Sequence, residues 1–315
     1  MGIKWNEIMN KIINNDLFDV LPYINSNSID CIISDIPYGI SFDDWDILHN
    51  NTNSALLKVN PIDKQANGVF KKRGKPLNGW SKADKDIPIE YYNWCKSWAF
   101  EWFRILKPGA TVFIFAGRRF SHRCISALED VGFIFKDMLA WEKCQATYKA
   151  QRISCVFNRR NDTANSKKWE GWKIGNLRPL FEPILWFMKP YKIGTTLTDN
   201  VLNYGVGAFC EIQYKKQNKL CSNIIKVQQS NGDKGYHPTQ KPIMLMEVLI
   251  QLVTQEKQTV LDPFCGSGST LVAAERLNRN GIGIEKDKTF YDNIKIRLEN
   301  YIEIKEGNMK ELNYE

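Results

Sequence analysis

Short apolar segments alternate with amphipathic helical segments near both ends of the chain, and this alternation restricts the fold more than any other feature. In the first half it predicts a strand at 29–33, a helix at 91–106, a strand at 111–116, a helix at 121–131 and a strand at 133–141. Near the end it predicts helices at 243–253, 269–277 and 288–301 around strands at 260–264 and 281–285. Strands that alternate with helices form mostly parallel sheets covered by helices on both faces. The sequence therefore predicts an α/β fold in which both ends of the chain build one sheet.

The middle of the chain lacks this regularity. Residues 41–87 are polar and rich in Asn, and we interpret them as a long loop of the kind that usually has a function. Residues 143–236 show a clear pattern only at the apolar run 183–188, which predicts a core strand. We therefore divide the chain into one half of the ordered domain at 1–142, an inserted lobe at 143–236 and the other half at 237–315.

The irregular middle segment is strongly basic. Between Lys143 and Lys241 there are 17 Lys and Arg residues against six Asp and Glu residues, although the net charge of the whole chain is only +8. This excess indicates a surface that faces a polyanion, or a solvated basic face without a partner. The candidates for contacts with nucleic-acid phosphates or bases are Arg152, Arg159, Arg160, Lys167, Lys168 and Arg178, interleaved with the aromatic residues Trp169, Trp172 and Tyr204.

The composition argues against several classes of protein. Apolar residues make up 43% and charged residues 25%, which argues against a disordered chain. No apolar run approaches the roughly 18 residues of a membrane span, and the N-terminal residues lack the apolar core of a signal peptide. We therefore expect a cytoplasmic protein. The eight Cys residues contain no Cys-x-x-Cys pair and the three His residues are scattered, so no metal site is predicted.

A glycine motif stands at 260–270, which reads Val-Leu-Asp-Pro-Phe-Cys-Gly-Ser-Gly-Ser-Thr. Gly266 and Gly268 lie between a predicted strand and a predicted helix, where they let a ligand approach the backbone. Glu285 ends the next strand, where an acidic residue can accept hydrogen bonds from a ribose diol. No Gly-Lys-Ser/Thr follows, which disfavours a Walker loop, and the third glycine of a dinucleotide fingerprint is missing. The alternative is a glycine turn that serves packing alone.

A second motif, Asp35-Ile36-Pro37-Tyr38, follows the first predicted strand. A carboxylate, a rigid proline and an aromatic ring at the carboxyl end of a strand form a pocket that suits a flipped-out base. Taken alone, the same residues are compatible with an ordinary turn.

Together the two motifs resemble those of the DNA amino-methyltransferases, which act on adenine N6 or cytosine N4. The signature of that family combines Asp/Asn/Ser-Pro-Pro-Tyr/Phe/Trp with Asp-x-Phe-x-Gly-x-Gly, matched here at 35–38 and 262–268. A third match is the segment His-Pro-Thr-Gln-Lys-Pro at 237–242. The catalytic motif precedes the cofactor motif, as in the β group of the family. The resemblance implies a circularly permuted, Rossmann-like sheet of S-adenosylmethionine-dependent methyltransferases, with an inserted target-recognition lobe.

The resemblance also implies a role for each catalytic residue. Asp35 and the main-chain carbonyl of Ile36 accept hydrogen bonds from the amino group, Pro37 holds the loop, and Tyr38 stacks on the flipped base. Ile36 departs from the family pattern, which has Pro at this position. An Ile carbonyl accepts a hydrogen bond equally well, but the fixed φ of proline is lost.

The implied cofactor is S-adenosylmethionine. Glu285 is expected to bind its ribose hydroxyls, and Thr239 and Lys241 its methionine carboxylate. The other residues expected around the cofactor are Asp262, Phe264, Gly266, Gly268 and His237.

The expected substrate is duplex DNA. Asp35 favours adenine N6, because cytosine-N4 enzymes often have Ser at that position, and cytosine N4 is the nearest alternative. Methylation of RNA or of a protein glutamine, and a catalytically inactive DNA-binding homologue, are further alternatives. Methylation of cytosine carbon 5 is excluded because it needs a nucleophilic Cys after Pro, and the sequence contains no Pro-Cys pair. A homodimer and a cognate restriction endonuclease are possible partners by resemblance.

Overall fold

The computed structural model describes residues 12–38, 82–143, 150–217, 221–228 and 240–299. The strands are β1 (Ile12–Asn14), β2 (Ile29–Asp35), β3 (Leu106–Phe115), β4 (Ile134–Glu142), β5 (Gln151–Arg152), β6 (Lys173–Ile174), β7 (Phe181–Met188), β8 (Ile224–Lys226), β9 (Thr259–Asp262) and β10 (Asn280–Glu285). The helices are α1 (Leu17–Val20), α2 (Lys82–Ile105), α3 (Ser121–Val131), α4 (Ile153–Arg159), α5 (Thr163–Lys168), α6 (Leu197–Tyr204), α7 (Glu211–Gln217), α8 (Ile243–Val253), α9 (Ser269–Arg276) and α10 (288–299).

Eight strands form one sheet in the order β1-β10-β9-β2-β3-β7-β4-β8. Strand β7 runs antiparallel to β3 and β4, and the other neighbouring pairs are parallel. Strand β1, near the start of the chain, pairs with β10, near its end. The predicted mostly parallel sheet, built from both ends of the chain, is therefore confirmed.

Helices cover both faces of this sheet. Along β2, Ile32 belongs to the core that the sheet shares with α2 and α3. Its neighbours Cys31 and Ile33 belong to the opposite core, which α8 and α9 complete. Successive residues of a strand point to opposite faces, so a strand covered on both sides is apolar throughout. This explains why the run at 29–33 was visible in the sequence.

Helix α2 begins at Lys82, inside the stretch that we interpreted as a loop at 41–87. The prediction was wrong for residues 82–87. Residues 41–81, the rest of that stretch, lie outside the described residues. Pro88 lies within the helix and obscures its first turns in the sequence. The buried residues Ile87, Tyr91 and Cys95 nevertheless recur every four residues, as a helix packed on a sheet requires.

Strand β3 begins at Leu106, directly after α2, and includes the segment Lys107-Pro108-Gly109, which lies between the helix predicted at 91–106 and the strand predicted at 111–116. Leu106 pairs with Ile29 across a register shift in β2. The added pairing explains why the strand starts five residues before its apolar run.

The middle segment contributes both to the sheet and to a small lobe. The predicted core strand at 183–188 is confirmed as part of β7, and β8 lies at the sheet edge. Residues 150–180 form the lobe from the β5–β6 ribbon with α4 and α5. This lobe leaves the sheet after β4 and returns at β7, which is the edge where β2, β9 and β10 also end. The division at 143 and 236 stays a prediction.

Candidate functional site

The Asp35 carboxylate lies at the carboxyl end of β2 and is bound by two donors. Its Oδ1 accepts a hydrogen bond from Tyr38 Oη at 2.9 Å, and its Oδ2 lies 2.5 Å from the Lys241 ammonium. Burial raises the pKa of Asp35, although Lys241 and the Tyr38 hydroxyl oppose the rise. The motif at 35–38 is thus brought together with Lys241 of the third motif.

A second carboxylate, Glu182 on β7, completes this cluster. The residue is 8% exposed. Its Oε1 accepts a hydrogen bond from the Tyr38 hydroxyl and lies 3.0 Å from Lys241 Nζ, while its Oε2 pairs with Lys143. Burial alone would raise the pKa of Glu182, but the two ammonium groups outweigh it and lower that pKa to about 2. Glu182 is therefore ionised at neutral pH.

Two contacts from outside the motif position the loop at 36–38. The Tyr91 hydroxyl of α2 donates a 3.2 Å hydrogen bond to the Pro37 carbonyl. On the other side, a Cβ added to Gly117 would lie only 2.9 Å from Tyr38 Cβ, so only glycine permits this approach without a shift. These contacts add to the packing of Ile36, whose side chain is buried in the core that contains α2.

The glycine motif joins the end of β9 to α9. Gly266 and Gly268 have φ values of +53° and +75°, which favour glycine. A Cβ at Gly268 would also lie 2.7 Å from Ile294 Cγ2 of α10. Both predicted glycines are therefore needed for the shape of this turn.

Asp262 is buried within the same turn and is fully engaged by the protein. Its Oδ1 accepts hydrogen bonds from Ser34 Oγ at 2.8 Å and from Phe264 N at 3.2 Å. Its Oδ2 accepts one from Thr270 Oγ1 at 2.6 Å. Burial raises the pKa of Asp262 to about 6 despite these bonds. Through Ser34, the Asp262 carboxylate joins the glycine turn to the strand that ends at Asp35.

Glu285 ends β10 beside the turn. Its Oε2 accepts a 2.7 Å hydrogen bond from Gly266 N, and its Oε1 one of 2.8 Å from Asp287 N. Burial raises the pKa of Glu285 to about 7, against the effect of these two bonds. Each oxygen has acceptor capacity beyond these bonds, so Glu285 suits a diol ligand.

A cleft of about 610 Å³ opens next to Glu285 at the ends of β1 and β10, and its lining residues are Asn14, Asn15, Asp16, Phe18, Asp19 and Lys286. Asp16 pairs with Lys286 at 2.8 Å, and Asn14 Nδ2 donates to the Glu285 carbonyl at 2.9 Å. The lining is polar or charged except for Phe18.

Phe264 packs against the tryptophans of α2. Its ring centroid is 5.6 Å from Trp94 and 6.4 Å from both Trp98 and Trp102. Phe264 remains partly exposed at the turn. Phe264 therefore connects the core on that face of the sheet with the glycine turn.

The third motif is only partly described. His237 and Thr239 lie outside the described residues. Lys241, expected at the methionine carboxylate, instead has its ammonium on Asp35 and Glu182, while its carbonyl accepts a 2.8 Å hydrogen bond from Ser269 Oγ of α9. Its role at the cofactor stays a prediction.

The six basic residues predicted to contact DNA are all exposed on the lobe: Arg152, Arg159, Arg160, Lys167, Lys168 and Arg178. Trp169 and Trp172 pack edge-to-face at 5.6 Å within the lobe, and Trp172 remains 61% exposed. Tyr204 lies elsewhere, at the end of α6, a helix that packs against β3. The lobe therefore carries the six cations and the exposed Trp172 ring, whereas Tyr204 does not belong to it.

The sequence analysis missed Glu182, Lys143, Tyr91 and Asp16. Glu182 offered a signal, because a lone acidic residue beside an apolar run that predicts a core strand is rarely buried without a partner. Asp16 follows a strand of only three residues, too short for a period-two pattern. None of the helices in the described ranges is long and apolar enough to cross a bilayer.

A sequence model of the DNA methylase family, covering N6- and N4-methyltransferases, matches residues 29–296. The type II methyltransferase M.HindIII of Haemophilus influenzae is 57% identical over 288 residues, which is 89% of this chain and 92% of that protein. The type II methyltransferase M2.MboI of Moraxella bovis is 27% identical, covering 89% of this chain and 84% of that protein.

Solved structures share the fold. A complex of M1.HpyAVI with SAM has a TM-score of 0.54 at 23% identity and covers 91% of this chain and 98% of that one. The cytosine-N4-specific PvuII DNA methyltransferase has a TM-score of 0.57 at 16% identity, covering 91% and 85%. The sheet is thus the Rossmann-like sheet of methyltransferases, and the chain belongs to the DNA methylase family of N6- and N4-amino-methyltransferases.

Proposed function

We propose that the chain is a site-specific DNA methyltransferase that transfers a methyl group from S-adenosylmethionine to the exocyclic amino nitrogen of a flipped-out base, with adenine N6 as the preferred acceptor. One observation carries this proposal. The Asp35 carboxylate and the glycine turn with Glu285 end neighbouring strands at one edge of the sheet, and Ser34 and Asp262 join them at 2.8 Å.

The residues beside the turn fit the cofactor. Glu285 supplies a carboxylate for the ribose hydroxyls, and the glycine backbone allows close approach. Phe18 and Asp16 offer an apolar face and an acceptor at the adjoining cleft, which suits the adenine ring and its amino group. The cofactor supplies a methyl group already activated on a sulfonium, so the protein mainly has to position the two reactants.

Asp35 and the Ile36 carbonyl act on the amino nitrogen of the base. That nitrogen is a poor nucleophile because its lone pair is delocalised into the ring. Two acceptors aimed at its hydrogens favour a more tetrahedral nitrogen, and the Asp35 carboxylate stabilises the positive charge that develops there. No covalent bond between protein and base is needed. The Tyr38 ring provides the surface on which the flipped base stacks.

The basic lobe presents DNA to this site. It is inserted at the same sheet edge as Asp35, and its six exposed cations suit contacts with phosphates. Two acidic residues, Asp162 and Glu170, oppose the seven Lys and Arg residues of the lobe at 150–180, so its net charge is strongly positive. DNA in the cytoplasm is the proposed substrate. A cognate restriction endonuclease is a proposed partner because the relatives named above are type II methyltransferases.

The test incubates the protein with methyl-labelled S-adenosylmethionine and unmethylated duplex DNA of mixed sequence, then separates the nucleosides after digestion. We expect label in N6-methyldeoxyadenosine and none with Asp35→Ala. Label in N4-methyldeoxycytidine would keep the mechanism and contradict the base assignment. Absence of label in DNA, with cofactor binding shown by calorimetry, would contradict the proposed function.

A further inference from the structure

Both carboxylate oxygens of Asp35 are occupied by donors from the chain itself. Tyr38 donates to Oδ1 at 2.9 Å, and Lys241 contacts Oδ2 at 2.5 Å. The proposed function requires Asp35 to accept a hydrogen bond from the amino group of the base. Each oxygen can accept a further hydrogen bond, but a carboxylate shared with an ammonium and a hydroxyl is a weaker acceptor for the amino group than one that either donor has left.

Glu182 already contacts both donors. Its Oε1 accepts from the Tyr38 hydroxyl and lies 3.0 Å from Lys241 Nζ. Lys241 is 5% exposed, and a buried ammonium left without any carboxylate partner would be strongly destabilised. With Glu182 in place, each donor keeps a carboxylate partner after it releases Asp35.

The cluster is also balanced in charge. Asp35 and Glu182 are matched by Lys241 and by Lys143, which pairs with the outer oxygen of Glu182. Moving hydrogen bonds from one carboxylate to the other therefore changes neither the net charge of the cluster nor its protonation. The Tyr38 hydroxyl has a single proton and two carboxylate neighbours, so it can donate fully to only one of them at a time.

We propose that Glu182 is a positioning residue that takes over the Tyr38 hydroxyl and the Lys241 ammonium from Asp35 when the target base binds. This inference rests on the proposed function. In the substrate-free protein the two donors keep Asp35 occupied. In the complex with DNA they bind Glu182, and Asp35 is free for the amino group.

The first experiment compares Glu182→Gln with the wild type in single-turnover methylation of DNA. Without the second carboxylate, Lys241 stays on Asp35, so we expect the rate to fall roughly 10–100-fold, as for loss of a charged hydrogen bond. Cofactor binding should not change. The matched control is Glu142→Gln on the adjacent strand β4, which removes only an exposed ion pair with Lys226 and should keep the wild-type rate. Thermal unfolding checks that both variants fold.

The second experiment uses pH profiles, which a merely structural role would not change. The Asp35 carboxyl faces Lys241, Tyr38 and Glu182, with Asp262 on β9 behind it and Lys143 beyond Glu182. Glu182 raises the pKa of Asp35, and the Tyr38 hydrogen bond lowers it. Glu182→Gln should therefore move the acid limb of the single-turnover rate to lower pH.

Tyr38→Phe separates the two states of the cluster. The profile of kcat/KM reports the free protein, and the single-turnover rate at saturating DNA reports the complex. We expect Tyr38→Phe to move the acid limb of kcat/KM to higher pH and to leave that of the single-turnover rate in place.

Equal movement of both profiles, or a wild-type rate in Glu182→Gln, would overturn the inference. If Glu182→Gln does not fold, the two Tyr38→Phe profiles decide alone. A wild-type protein that methylates no DNA would refute the proposed function instead.

Discussion

At the scale of single residues, burial and charge prepare two carboxylates for different tasks. Asp35 lies beside the Lys241 ammonium, which favours its ionised form against the effect of burial, and the proposed function requires that form. Glu285 accepts hydrogen bonds from the backbone N–H groups of Gly266 and Asp287, and burial raises its pKa to about 7. The environments of these two groups therefore predict different responses to substitution and to pH.

Replacing Asp35 by Asn should abolish most methylation and leave cofactor binding intact. The amide has one acceptor oxygen and no charge, so it stabilises the charge on the amino nitrogen poorly. We expect the single-turnover rate to fall about 10²–10³-fold, as when one preorganised electrostatic contact is removed. Label transfer measures the rate and calorimetry the cofactor affinity. A variant that loses cofactor binding in parallel would place Asp35 in the cofactor site.

Cofactor affinity should depend on the protonation of Glu285. Its carboxylate form accepts hydrogen bonds from both ribose hydroxyls, so cofactor binding favours ionisation. Because the pKa is about 7 in the free protein, affinity should be constant well above that pH and fall as pH drops below it, by up to about tenfold per unit. Calorimetric titration across this range measures it. Glu285→Gln should bind weakly with a flat profile near neutral pH, and an equally steep profile in that variant would contradict the assignment.

At the scale of elements, helix α2 holds the loop at 36–38, and we expect this contact to compensate for the proline that the motif has lost at Ile36. Ile36 lacks the ring that fixes φ in proline, but its side chain is buried in the same core as α2. The Tyr91 hydroxyl also holds the Pro37 carbonyl at 3.2 Å. Tyr91 is itself buried and stacked on Phe120 at 5.1 Å, so its position is fixed. We therefore expect the helix to restrict the movement of this loop.

Tyr91→Phe should slow methylation, and Ile36→Pro in the same chain should restore part of the rate. The first change removes one hydrogen bond to a buried carbonyl, which we expect to cost about 1–2 kcal/mol in loop order and about 5–30-fold in rate. Single-turnover assays of both single variants and the double variant measure the coupling. Additive effects without rescue would show that Tyr91 does not compensate for Ile36.

Gly117 sets how closely β3 and the catalytic loop approach. An added methyl group would lie 2.9 Å from Tyr38 Cβ, so Gly117→Ala should displace the Tyr38 ring. We expect lower methylation with unchanged cofactor binding, since the glycine turn is not touched. Thermal unfolding checks that Gly117→Ala folds, because the described glycines with open space around an added Cβ, Gly171 and Gly194, have positive φ values that strain alanine. Equal activity of Gly117→Ala and wild type would contradict this placement of Tyr38.

Local patterns predicted the elements that such patterns encode. Burial on both faces of a sheet gives a continuous apolar run, and a positive φ favours glycine. These patterns predicted the strands at 29–33 and 260–264 and the turn with Gly266 and Gly268. The start of α2 was not predicted because Pro88 interrupts its helical pattern, and β1 was not predicted because it has only three residues. Contacts such as Tyr91 with Pro37 join residues 54 positions apart and have no local signature.

At the scale of the whole molecule, the topology gathers the site from distant parts of the chain. Asp35, Glu182 and Lys241 come from three separate segments. The pairing of β2, β3 and β7 brings Asp35 and Glu182 to one sheet edge, and Lys241 joins them from the residues just before α8. Resemblance to a family placed Asp35 and Lys241 in a functional region. It did not indicate that their side chains meet, nor that Glu182 joins them. The lobe, inserted at this same edge, adds the positive charge.

The lobe's cations should determine the salt dependence of DNA binding. Changing Lys167 and Lys168 together to Ala removes two exposed charges on α5. If both contact phosphates, the slope of log K against log salt should shrink by about 1.8, at about 0.9 for each contact. Fluorescence anisotropy at several salt concentrations measures it. An unchanged slope would show that these lysines face solvent.

Sequencing the DNA of cells that express the protein, in a host without its own base methylation, tests the central claim most directly. The method must read methylated adenine and methylated cytosine at single positions. We predict N6-methyladenine confined to one short recurring sequence, absent from cells that express Asp35→Ala at the same level. DNA without any methylated base in the wild-type culture, or methylation that persists with Asp35→Ala, would contradict the account.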